Sequence, residues 1–296
     1  MSSHSDETPD TVLPVLTRSQ AHDFHATLGR VLGQHRLEYR WNGDDSYTVD
    51  GVVFGLANLA AVVAREPAEE WTRHIDRHVS GFMALREDPT PKAELSIVYP
   101  RVRLARGDTE TDYPVRGMVD GLEVVLALDH PHVVSELESL EYVADLGPWP
   151  VLWAAAMENL RALPDPHHEI VDVERDHGAL PLHAFQFEDY FGPSRILMLR
   201  EFVRPYFPNL RSGLLVAIPD RHTVLAVVVD DGALVACGEL AAIAQNLFET
   251  SPGAITPSVY YLGSDDSVSM VAYLTEDGST YVKPTAELAE VILGAN

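Results

Sequence analysis

Two histidines four residues apart, His74 and His78 in the stretch His-Ile-Asp-Arg-His, form the sharpest chemical constellation in the chain. On a helix this spacing puts both imidazoles on one face, as a transition metal bound to a helix requires. The zinc-peptidase pattern places a glutamate base directly after the first histidine, and Ile75 stands there instead. The pair therefore reads as the solvated face of a helix, with a metal-dependent hydrolase built on His74 and His78 as the alternative. A second concentration runs from Asp165 through His167, His168, Glu169, Asp172 and Glu174 to Asp176 and His177. On a strand, alternation sends His168, Asp172 and Glu174 to one face. They would ligate a metal there or, in the reading we prefer, protect an exposed sheet edge by charge.

Asp220-Arg221-His222 follows Pro219 between two apolar runs, a tight turn of the kind on which scaffolds present side chains. A histidine beside a carboxylate has the makings of a general base. No nucleophile accompanies it: the chain has no Gly-x-Ser-x-Gly, and its one cysteine, Cys237, sits in an apolar run that reads as core. A nucleophilic hydrolase is disfavoured. Gly192-Pro193-Ser194 has the form of a helix start, where free amides with Arg195 would bind an anion or where Ser194 or Gly192 would simply cap the helix. Just upstream, Phe187 to Phe191 mixes aromatic and acidic groups, which suit a protein interface. The candidate binding surface is thus Asp189, Tyr190, Ser194, Arg195, Asp220, Arg221 and His222.

These residues need elements to position them. Thr17 caps a helix over 18–33, in which Phe24, Leu28, Val31 and Leu32 recur at helical spacing. Leu37 to Trp41 and Tyr47 to Phe54 flank five turn-forming residues, Asn42 to Ser46, and read as a hairpin. Helices follow over 56–65 and 67–85, the second opened by Pro67 and carrying the stripe Trp71, Ile75, Val79 and Phe82. Strands are expected over 93–104 and 122–128 with an exposed loop between them, then helices over 133–144 and 150–163. The C-terminal half alternates strands 168–174 and 182–188, a helix 193–204, strands 214–218 and 223–229, a helix 235–249, strands 258–262 and 268–274, and a closing helix 285–293. Neighbouring strands joined by short polar turns favour antiparallel pairing over a doubly wound sheet. The fold class is α+β, antiparallel β-hairpins alternating with helices in one or two packed domains. The organisation reads as a flexible acidic tail over 1–13, an N-terminal region 14–147 and a C-terminal region 148–296, divided at Gly147-Pro148-Trp149-Pro150.

Composition narrows the function. The 296 residues carry 45 acidic against 21 basic side chains, a formal charge of -24, so a nucleic-acid phosphate surface is excluded as a direct partner. The only lysines, Lys92 and Lys283, follow no glycine-rich phosphate loop, which removes P-loop and kinase-type chemistry. No apolar run reaches the ~20 residues that span a bilayer, so no membrane partner is expected. The start lacks the basic and apolar regions of a secretory signal, and a lone cysteine rules out an internal disulfide. Both point to the cytoplasm.

From about residue 97 the chain resembles the YtpQ-like family of uncharacterised bacterial proteins. The resemblance rests on Glu158-Asn159-Leu160-Arg161, on Asp189-Tyr190 with Ser194-Arg195-Ile196-Leu197, on Ala217-Ile218-Pro219-Asp220-Arg221 and on Val259-Tyr260-Tyr261. His222 stands where the familiar form of the third motif has an aspartate. The resemblance implies a soluble bacterial fold and supplies no catalytic residues. With no complete catalytic set and no cofactor called for, the sequence points to a non-enzymatic module whose partner is another protein.

Overall fold

The computed structural model describes residues 8–87, 94–105, 116–117, 119, 121–130, 133–137, 140–175, 178–208, 210, 213–229, 232–275 and 277–293. The fold is α+β, with antiparallel strand pairing in each of its sheets. It divides into two compact units: Met1–Pro91 with Pro131–Val133 and Glu249–Gly253, and the remainder of the chain.

The first unit opens on α1 (Arg18–Gln34), held by a full capping box in which Thr17 Oγ1 accepts from Gln20 N and Gln20 Oε1 accepts from Thr17 N. Residues 8–13, expected as part of a free tail, are tied down. Pro9 bridges to Thr17, Asp10 Oδ1 accepts from the amides of Val12 and Leu13, and Leu13 is buried. Then come β1 (Tyr39–Trp41), β2 (Ser46–Val49) and β3 (Val52–Gly55), a three-stranded meander. The run Tyr47 to Phe54 is therefore two strands, folded back at Asp50-Gly51, whose φ values of 46° and 85° make the left-handed turn that Asp-Gly favours. α2 (Ala57–Val63), a 3-10 turn at Ala68–Glu70 and α3 (Trp71–Glu87) complete the unit. The expected stripe of α3 is inward: Trp71, Ile75 and Val79 are buried with Phe24, Leu28 and Val31 of α1, and Phe82 packs beside them.

The second unit holds two sheets. β4 (Val98–Leu104), β5 (Arg116–Gly117), β6 (Leu122–His130) and β7 (Val133–Glu136) form the smaller, with β6 at its centre. The helix expected over 133–144 is instead β7 followed by a 3-10 turn at Glu141–Leu146. α4 (Trp149–Ala162) covers this sheet, and Asn159 Nδ2 donates to the carbonyls of Leu95 and Val98. Gly147-Pro148-Trp149-Pro150, read as a domain boundary, opens α4 inside this unit, and the two units divide between Pro91 and Lys92. The loop after β4 was expected to be exposed, but residues 106–115 lie outside the described residues.

The larger sheet comprises β8 (His167–Arg175), β9 (Gly178–Gln186), β10 (Leu214–Asp220), β11 (Thr223–Val228), β12 (Val259–Leu262), β13 (Val268–Leu274) and β14 (Thr280–Val282), in the order β14-β13-β12-β10-β11-β9-β8. α5 (Leu199–Val203) follows a 3-10 segment Gly192–Met198, and α6 (Ala233–Thr250) and α7 (Ala286–Ile292) lie later in the chain. Strand alternation divides the core. Leu215, Ala217, Leu225 and Val227 face α6 and α7, whereas Leu214, Val216, Ile218 and Val224 face Phe185, Leu199 and Val203. Burial on both faces explains why β10 and β11 read as unbroken apolar runs.

Candidate interaction site

The seven candidate residues converge at one end of the large sheet. β9 leads into Phe187, whose N–H donates to the carbonyl of His222 at 2.9 Å, so the chain leaving β9 is fastened to the turn between β10 and β11. That turn is Arg221-His222, closed by the Asp220–Thr223 pair and by the N–H of His222 donating to Asp220 Oδ1 at 2.8 Å. Asp220 is 2% exposed, and its bridge to Ala254 fixes the turn from the other side.

The residues then separate by task. Arg195 is a buried strut: its NH2 donates to the carbonyl of Pro164 at 2.9 Å, its NH1 to Asp189 Oδ2 at 3.3 Å, and its guanidinium lies 4.6 Å over the Phe187 ring. Asp189 is fully employed, since its other oxygen accepts from the amide of Phe191 at 2.7 Å. Ser194 makes no helix cap. Its hydroxyl accepts from Val102 N at 3.1 Å, tying the loop to β4. The segment in which it lies, Gly192–Met198, is 3-10, with Phe191 at the cap position and no side-chain cap bond. Of the aromatics between Phe187 and Phe191, Phe187 and Phe191 are buried, and Phe191 stacks on Tyr99 with centroids 4.4 Å apart. Burial and the nearby Asp189 raise the pKa of the Asp129 carboxyl on β6.

Tyr190 is presented outward from this frame, with Arg221 and His222 partly buried beside it. Tyr190 is 43% exposed. Arg221 lies with its guanidinium 4.6 Å over the Tyr190 ring. His222 Nδ1 is 3.1 Å from the carbonyl of Phe187, which can only accept, so the proton sits on Nδ1 and the Nε2 lone pair accepts from Arg221 Nε at 3.0 Å. Burial, then the positive charge of Arg221, pushes the His222 pKa down and keeps the ring neutral. It is thereby committed as a support for Arg221 and holds no lone pair free to act as a base. Beside it, Pro164, Asp165, Pro166 and His167 face Gln186, Phe187, Glu188 and Asp189 across a groove of about 520 Å³.

The other sequence candidates go elsewhere. His74 Nε2 lies 3.8 Å from Glu66, whereas His78 stands edge-on to Phe54, so the two imidazoles take different partners in the first unit. Among the described residues no three His, Cys, Asp or Glu side chains are grouped to hold a metal ion. β8 is an edge strand, and Asp176 and His177 lie outside the described residues. Missed from sequence was the partner of His168: its Nε2 is 3.0 Å from Nδ1 of His183 on β9, in an aromatic cluster with Phe185, Tyr206 and Phe207. The register Ile170↔His183 makes the two histidines diagonal neighbours. Burial lowers both pKa values. Cys237 is fully buried, with its pKa pushed up to about 11. No described helix is long and apolar enough to cross a membrane. Comparison with family models, with curated proteins and with solved structures gave no match for the chain.

Proposed function

We propose that this chain is a non-enzymatic module of the bacterial cytoplasm that binds another protein through Tyr190, Arg221 and the adjoining groove, and that it is a YtpQ-like protein. One observation carries the reading. Asp189, Ser194, Arg195 and Asp220 spend their polar groups internally, and the effect of that buried frame is to hold an arginine stacked on a half-exposed tyrosine. Tyrosine and arginine are the residue types that dominate interface energetics, and a rigid frame lowers the entropy lost when they are engaged. A catalytic reading of the same residues lacks a nucleophile, and His222 is occupied at both ring nitrogens.

The test is affinity capture with the full chain and with Tyr190→Ala and Arg221→Ala. Both variants keep the buried frame and melt like the native protein, yet lose a partner that the native chain retains. Retention of every partner by both variants removes this face from consideration. The metal-dependent alternative on His74 and His78 predicts a stoichiometric transition metal in untagged protein, and His78→Ala would release it.

A further inference from the structure

The proposed interaction face deepens into a ligand chemistry at Arg221. In a chain with 45 acidic and 21 basic residues, a partly buried arginine without an acid partner is informative, because arginines left unpaired elsewhere among the described residues, such as Arg36, Arg77 and Arg204, are exposed. Among the described residues no carboxylate lies within ion-pair distance of Arg221, although it is half-buried. Neighbouring cations are already engaged: Arg101 pairs with Glu136 at 3.3 Å, and Arg195 with Asp189. The Arg221 guanidinium is fixed twice, through Nε to His222 and by its face on Tyr190. That leaves the two terminal nitrogens as the unbound edge, a planar pair of donors matched to a two-oxygen acceptor. Among the described residues the Tyr190 hydroxyl has no hydrogen-bond partner either, and Tyr190 is 43% exposed.

We propose that Arg221, preorganised by His222 and Tyr190, is the anchor for a carboxylate on the protein partner, taken end-on by its two terminal nitrogens. A carboxylate fits better than a phosphate because one guanidinium balances a single negative charge, and the net charge of -24 on the chain opposes a dianion more than a monoanion. This rests on the interaction reading above, and the two can fail separately.

The experiment is titration of the full chain, labelled with ¹⁵N-arginine, with acetate at constant ionic strength, read at the Arg221 Nε–H signal. Arg221→Lys assigns that signal by its loss. Acetate is expected to shift it saturably, acetamide to leave it in place, and Tyr190→Ala to weaken the acetate response several-fold. A non-saturating shift equal to that produced by chloride overturns the proposal, and so does inorganic phosphate saturating at lower concentration than acetate. Saturable acetate binding with partner capture unchanged in Arg221→Ala would sink the interaction reading and, with it, the partner as the source of the carboxylate. No acetate response with capture abolished would sink the carboxylate anchor alone.

Discussion

Gly192→Ala tests whether the frame behind the site is as tight as the geometry makes it. Gly192 opens the 3-10 segment and is buried directly against Phe187. A Cβ added there would come closer than 3.0 Å to Cγ, Cδ2 and Cβ of Phe187, inside any tolerable carbon contact. The ring has nowhere to go, because Arg195 lies over it at 4.6 Å and Phe202 is tilted against it with centroids 5.9 Å apart. Overpacking of this kind costs about 1–3 kcal/mol, and three simultaneous contacts in a braced pocket place the expected loss at about 2 kcal/mol. For a folding unit of ~150–250 residues that is a fall in melting temperature of about 4–8 °C. Calorimetry and urea unfolding measure it. Phe187→Ala removes two of the three clashing atoms, so Gly192→Ala should cost at least ~1 kcal/mol less in that background. An unchanged melting temperature for Gly192→Ala, or the same penalty in both backgrounds, would refute the claim that Phe187 is clamped between Gly192 and Arg195.

Val216→Asp puts an unpaired carboxylate in a fully buried position at the sheet centre; at roughly 4–5 kcal/mol it should abolish soluble expression, and a soluble variant with native melting would contradict the central placement of β10. Thermal stability should fall as the pH drops below the ordinary histidine value near ~6.5. Burial depresses the pKa values of His168 and His183 in the folded state, so the unfolded chain binds more protons across that window. Replacing both by leucine should flatten the slope of melting temperature against pH between neutrality and pH ~5; an undiminished slope would show that the pair does not contribute. Cys237, buried and with its pKa pushed up to about 11, should react with a disulfide reagent only after unfolding, and prompt labelling of the native protein would count against its place in the core.

What the sequence made legible follows from the range of the interactions involved. β10 and β11 were readable because a double-faced apolar run bounded by Pro-Asp-Arg-His has few other solutions. α1 was readable from its cap and its stripe. The range 133–144 was read as helix, but Val133–Glu136 pairs with β6, and tertiary context overrides local preference in so short a segment. The hairpin at Asp50-Gly51 was hidden inside a run that looked continuous, although the Asp-Gly pair carried the signal. At the site, the sequence named seven residues that the fold brings to one end of the large sheet, but not their division of labour. Ser194 acts on Val102 and Arg195 on the carbonyl of Pro164, backbone partners that no side-chain pattern announces. The pairing of His168 with His183 was likewise invisible, because it needs the β8–β9 register.

The central claim is that the face carrying Tyr190 and Arg221 meets a protein partner, and the most direct measurement is site-specific photo-crosslinking in living cells. A benzophenone amino acid placed at position 190 should give a discrete higher-mass adduct, lost when Arg221→Ala is added. The same group at position 281, on the edge strand β14, where Tyr281 is about equally exposed, should give none. Equal adducts at both positions, or none at 190 from a protein that melts normally, would contradict the account.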